Sequence, residues 1–130
     1  MSNKIILVVD DEQRIADTLA LILRSNGYET AVAYEGASAL AHCSRIQPDL
    51  LLTDVVMPGM NGIELAEAVS EKFPECKVLL FSGHAATAEL LHRARKQGCD
   101  FTLLSKPIHP EVLLKKVAEI LNSSELHQVA

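Results

Sequence analysis

The chain has no tryptophan, and only 4% of its 130 residues are aromatic. A core without large rings has to be filled by Leu, Ile, Val and Ala, as happens where helices cover both faces of a sheet. Cysteine is scarce: Cys43, Cys76 and Cys99 are odd in number and form no CxxC pair. They read as small apolar side chains of a reducing compartment. The histidines fall at no HxxxH spacing, which argues against a zinc site. No Lys/Arg cluster can neutralise a row of phosphates. The densest basic run, His92-Arg93-Ala94-Arg95-Lys96, fits one charged helix end, and the formal charge is −5. Direct nucleic-acid binding is therefore not expected. No apolar run approaches the roughly 18–20 residues of a membrane span. Met1 leads straight into a strand-like segment with no signal peptide. A cytoplasmic protein without membrane contact is expected.

What is there is an alternation. Lys4-Ile-Ile-Leu-Val-Val9 is a short apolar run rich in β-branched residues, followed by Asp10 and Asp11. Ile15, Leu19, Ile22 and Leu23 then mark one face of a helix that stops at Asn26-Gly27. Tyr28 to Ala33 reads as a second strand. Ala37, Leu40 and Ala41 mark a second helix, closed before Pro48. Asp49 to Thr53 is a third strand, running into Asp54. The loop from Met57 to Gly62 must turn sharply, being punctuated by Pro58, Gly59 and Gly62. Leu65, Val69 and Phe73 predict a third helix, and Cys76 to Phe81 a fourth strand ending at Ser82-Gly83. A fourth helix is predicted from about Ala85 to Gln97, Ala-rich, with a narrow apolar stripe and loose packing. Phe101 to Leu104 form a fifth strand before Lys106-Pro107. Leu113, Val117, Ile120 and Leu121 mark the last helix. Residues 1–122 thus form one domain, and 123–130 a short frayed tail.

Five β-α units in a row require crossovers, and right-handed crossovers place helices on both faces of a parallel sheet. The fold class is a doubly wound α/β sheet. Ligands of such folds sit beyond the carboxyl ends of the strands. The first strand ends in Asp10 and Asp11, the third in Asp54, the fourth in Ser82 and the fifth in Lys106. Each alone has a plainer reading, such as an Asp capping the next helix. Together they put three carboxylates, a hydroxyl and an ammonium on one rim. Crowded acids repel unless a cation joins them, and Mg²⁺ held by carboxylates is the usual solution. A carboxylate beside such an ion can attack phosphorus, with Lys106 and Ser82 meeting the phosphoryl oxygens.

Val8-Val9-Asp10-Asp11-Glu12, Leu52-Thr53-Asp54 through Met57-Pro58-Gly59-Met60-Asn61-Gly62, Phe81-Ser82-Gly83 and Ser105-Lys106-Pro107-Ile108 resemble the receiver domains of two-component response regulators. The resemblance covers about residues 4 to 121. It implies a flavodoxin-like strand order 2-1-3-4-5. It makes Asp54 the phosphoacceptor, with Mg²⁺ on Asp10, Asp11, Asp54 and the Val56 backbone carbonyl. Ser82 and Lys106 are implied to assist, and the Lys106-Pro107 bond to be cis. The implied phosphoryl donor is a sensor histidine kinase or a histidine phosphotransfer protein. The implied output is a change in binding of a downstream protein, or of a linked output domain, at the fourth helix, fifth strand and fifth helix. The protein would act as a monomer or weak dimer and would be no enzyme beyond assisting its own phosphorylation and dephosphorylation. Val56 and His84 occupy positions that tune hydrolysis of the phosphoryl group in this family.

One departure stands out. Receivers commonly carry Tyr or Phe three residues before the lysine, where this chain has Leu103; its nearest aromatic is Phe101. Either Phe101 substitutes through a bulge or altered register, or output relies on loop and helix shifts alone. Two rivals remain. An Asp-nucleophile phosphatase is disfavoured, because those enzymes commonly place nucleophile and acid on one strand as DxD. A receiver-like interaction module that no longer uses phosphate is the alternative.

Overall fold

The computed structural model describes residues 3–83, 87–98 and 101–129. Five strands and five helices alternate along the chain: β1 (Ile5–Val9), α1 (Gln13–Arg24), β2 (Glu29–Ala33), α2 (Gly36–Ile46), β3 (Leu50–Asp54), α3 (Gly62–Lys72), β4 (Lys77–Ser82), α4 (Thr87–Lys96), β5 (Thr102–Ser105) and α5 (Pro110–Val129). The strands form one parallel sheet in the order β2-β1-β3-β4-β5. The doubly wound class and the 2-1-3-4-5 order expected from the sequence are both found.

The three central strands are apolar along their length because both of their faces are covered. Every residue of β3 is buried. On one face, Leu50, Leu52, Leu79, Phe81 and Leu104 meet Leu19 and Leu23 of α1 and Leu113, Val117 and Leu121 of α5. On the other, Leu7, Val9 and Leu51 meet Ala39 and Cys43 of α2 and Leu65 and Val69 of α3. Leu80 and Val55 continue that second face towards Ile63, Leu91 and Ala94.

The helices do not all turn the faces expected. In α1 the buried stripe is Ala16, Leu19, Ala20 and Leu23. Ile15 and Ile22 lie at its margin, only half-buried, and border a groove with Pro107 and Ile108. In α2, Ala37 and Ala41 are exposed, and Gly36, Ala39 and Cys43 face the sheet instead. Small residues on both faces of that helix leave its apolar side undecided until the sheet chooses it. The narrow stripe of α4 is as expected, with Leu91 and Ala94 buried and Leu90 half-buried. The segment 123–129, expected as a frayed tail, continues α5 as helix.

At the β4–β5 edge the ladder runs without interruption from Leu79 opposite Thr102 to Ser82 opposite Ser105. No bulge intervenes. Leu103 and Phe101 are two residues apart and pack against the same cluster, that of Leu80 and Leu91. Phe101 thus lies one pleat further from the carboxyl end than Leu103. In this register Phe101 does not take the place of Leu103.

Candidate phosphoacceptor site

The carboxyl ends of β1, β3, β4 and β5 meet at one rim. Asp10 follows β1 and is anchored there by its N–H, which donates to the Ala33 carbonyl at 3.3 Å. Its Oδ1 accepts the Glu12 N–H at 2.9 Å, ahead of α1. The plain helix-start role therefore accounts for one oxygen of Asp10. The other, Oδ2, is buried and makes no hydrogen bond, with the Lys106 ammonium at 3.5 Å as an ion-pair contact.

Asp54 is the last residue of β3 and is 4% exposed. Its Oδ2 lies 3.4 Å from the Lys106 ammonium, while its Oδ1 is buried with no hydrogen-bond partner. The backbone around it is pinned on three sides. Thr53 Oγ1 donates to the Asp54 carbonyl at 2.9 Å, Val55 N–H to the Phe81 carbonyl at 3.1 Å, and Gly62 N–H to the Val55 carbonyl at 2.7 Å. Gly62 packs so closely that a Cβ there would collide with the Asp54 carbonyl. The loop of Met57 to Asn61 is tied at its far end to α2, where Met60 fills the space a side chain on Gly36 would need. Half-buried Val56 sits where that loop leaves the strand.

Asp11 joins Asp10 and Asp54. One ligand oxygen from each lies within 4.8 Å of the others, with Asp11 exposed and its two partners buried. Burial is the first cause of the raised pKa at both inner acids. It pushes Asp10 up to about 6, reinforced by Asp54 and Asp11 and opposed by the Glu12 N–H and Lys106. It raises Asp54 as well, and there Lys106 is the main opposing influence. A single ammonium thus serves two buried carboxylates and leaves an excess of negative charge. Clustered hard oxygens, two of them buried without a hydrogen bond, fit a hard divalent cation. The cluster is one that a metal ion can occupy.

Ser82 closes β4 and is buried; its carbonyl accepts the Lys106 N–H at 3.0 Å. Lys106 follows β5, is 24% exposed, and its bond to Pro107 is cis, as the resemblance implied. All five side chains singled out in the sequence, Asp10, Asp11, Asp54, Ser82 and Lys106, are therefore at this rim. His84 and Cys99 lie outside the described residues. The two described cysteines, Cys43 and Cys76, are buried and free, and burial pushes the Cys76 thiol up to about 12. Neither belongs to the site.

A sequence profile for the response regulator receiver domain matches residues 6–118. The chain belongs to this family. It is 31% identical over 120 residues to the DNA-binding response regulator MtrA of Mycolicibacterium smegmatis, across 92% of this chain and 51% of that protein. This receiver domain spans about half the length of MtrA and its mycobacterial counterparts. It is 36% identical over 118 residues to the response regulator receiver protein CpdR of Brucella abortus, covering 91% of this chain and 97% of that one. Among solved structures, a CheY-like response regulator receiver domain protein from Methanospirillum hungatei JF-1 superimposes with a TM-score of 0.87 at 32% identity. That match covers 97% of this chain and 99% of the other. Among the described residues, no helix of the receiver domain is long and apolar enough to cross a membrane.

Three residues of the receiver domain's site were not legible as functional in the sequence. Gly62 acts through close approach to the Asp54 backbone and Gly36 through close approach to the Met60 side chain, which leave no trace in composition. Phe81 lies directly opposite Asp54 in the ladder. Counting back one residue from Ser82 gives that position once the strand order is known.

Proposed function

We propose that this receiver domain is a phosphorylation switch whose Asp54 takes a phosphoryl group from a phosphohistidine. The observation that carries this reading is the buried Asp54 carboxylate, one oxygen unpartnered and the other 3.4 Å from Lys106, beside two further acids. A carboxylate oxygen of Asp54 forms the new P–O bond as the bond from phosphorus to the donor nitrogen breaks. Lys106 balances the charge of one phosphoryl oxygen, and the Ser82 hydroxyl donates to another. Asp10, Asp11, Asp54 and the Val56 carbonyl would hold a Mg²⁺ ion, which would supply positive charge to offset that of the anionic donor and acceptor.

The partners proposed are a histidine kinase or phosphotransfer protein as donor, and a downstream protein or linked output domain at the α4, β5 and α5 face. Phosphorylation adds charge and acceptor oxygens to a small rim. The narrow stripe holding α4 makes it the element expected to shift. With Leu103 at the usual aromatic position, that shift proceeds without a ring turning inward.

The test is mass spectrometry after incubation with acetyl phosphate or phosphoramidate, with and without Mg²⁺, on wild type and Asp54→Asn. A Mg²⁺-dependent gain of one phosphoryl group, absent in the variant, is expected. No gain under any condition overturns the reading in favour of a phosphate-independent interaction module, which the aliphatic Leu103 would suit.

A further inference from the structure

We infer that Phe81 is a positioning residue for Lys106, its ring forming the platform across which the lysine reaches the acids; this rests on the reading of Asp54 as phosphoacceptor. Lys106 follows β5, whereas Asp54 ends β3, and β4 lies between them. Neighbouring strands are about 4.8 Å apart, so the lysine must cross roughly 10 Å of sheet edge. The residue beneath that path is set by the register. Asp54 lies opposite Phe81, and Phe81 opposite Leu104, two residues before Lys106. Phe81 and Leu104 belong to the same buried cluster, on the face of α1 and α5. By strand alternation, Asp54 and Lys106 start out on that face too.

The ring and the ammonium do meet. Lys106 Nζ lies 5.2 Å from the centroid of Phe81, within the roughly 6 Å over which a cation is drawn to a ring face. Phe81 is fully buried, so packing on Leu79, Leu104 and Leu113 holds the ring in place. The ammonium is 3.4 Å from Asp54 and 3.5 Å from Asp10, longer than a tight charged hydrogen bond to either. Three attractions share it, and the ring is the one that carries no net charge. Phe81 therefore keeps the ammonium from closing onto one carboxylate. It leaves the charge between β1 and β3, where an incoming phosphoryl oxygen needs it.

The experiment separates the ring's electronics from its shape. Phosphoramidate-driven, Mg²⁺-dependent phosphorylation is timed by mass spectrometry in three proteins: wild type, Phe81→Leu, and a chain carrying 3,4,5-trifluorophenylalanine in place of Phe81. Fluorination nearly preserves the shape of the ring and cancels the negative charge of its face. Thermal melting establishes that each is folded. Proton spectra of Lys106 supply a second readout, because its Hε atoms lie near the ring and shift upfield. We expect phosphorylation to slow about tenfold in Phe81→Leu and about three- to tenfold in the fluorinated chain. The upfield Hε shift should vanish in Phe81→Leu. A folded fluorinated chain as fast as wild type overturns the inference, as does wild-type Lys106 without the upfield shift. If Phe81→Leu fails to fold, the fluorinated chain decides alone. Wild type that takes no phosphoryl group brings down the reading of the site, and this inference with it. Normal wild type with an unaffected variant brings down this inference only.

Discussion

Asp10 and Asp54 share one ammonium: Lys106 stands 3.5 Å from the first and 3.4 Å from the second. Two buried carboxylates against one cation leave the metal-free rim short of positive charge, and that shortage governs its pH behaviour. Asp10 has its folded pKa raised, to about 6. A raised carboxyl favours the folded state when protonated. Its contribution is fully present below the unfolded pKa of about 4 and is lost as pH rises through 6. In buffer with chelator, thermal stability should therefore climb as pH falls from about 7 towards 5. Asp10→Asn, which keeps an acceptor for the Glu12 N–H, should flatten that slope and raise stability at pH 7 by on the order of 1–3 kcal/mol. Melting curves across pH 5 to 8 check both. A profile unchanged by the substitution contradicts the assignment of the strain to this acid.

Magnesium should act in the opposite sense. The ion competes with protons for the same oxygens, so its stabilising effect should grow as pH rises through 6. Asp11 is the exposed member of the trio. Asp11→Ala should leave metal-free melting within about 0.5 kcal/mol of wild type while weakening Mg²⁺ binding. Calorimetric titration with MgCl₂ measures the binding, and Mg²⁺ affinity equal to wild type would remove Asp11 from the ligand set.

The contact between Gly36 and Met60 predicts a rescue. A Cβ on Gly36 would stand 2.8 Å from both Cβ and Sδ of Met60, so α2 and the loop after β3 must separate. Gly36→Ala should cost about 1–3 kcal/mol, the range for overpacking. Met60→Ala removes the clashing Sδ and Cγ but keeps the Cβ, so the double variant should recover only part of that loss. Urea unfolding of the four proteins gives the coupling directly. Additive single effects would mean the loop is free to yield.

The start of α3 should depend on Asn61. Its side chain accepts the Glu64 N–H at 2.8 Å, and Glu64 Oε1 accepts the Asn61 N–H at 3.0 Å. Asn61→Ala should destabilise by about 1 kcal/mol, as loss of an N-cap does. Guanidinium denaturation reads this, and an unchanged midpoint would show that the helix start is held by Gly62 and Val55 alone.

The three central strands were legible because being buried on both faces leaves an unbroken apolar run, and Val9, Thr53 and Phe81 could be counted to within a residue of their ends. The rim followed, since strand ends in a parallel sheet converge whatever the helices do. Helix faces were less legible. Ala37 and Ala41 carry no less apolar surface than Ala39, so packing on β1 and β2 made the choice. The reach of α5 past residue 122 was missed because the polar stretch Asn122-Ser123-Ser124-Glu125 has no apolar stripe to announce a helix. Close approaches such as Phe81 under Lys106 join residues on or just after different strands. Only the register between strands reveals them.

The sheet order also sets what light can report. Both tyrosines flank β2, with Tyr28 just before it and Tyr34 just after, at one edge of the sheet. β5 lies at the other edge, and the chain has no indole anywhere. Events around Lys106, Leu103 and α4 therefore take place in an optically silent half of the molecule. Leu103→Trp would place the only indole there, at a half-buried position beside α4.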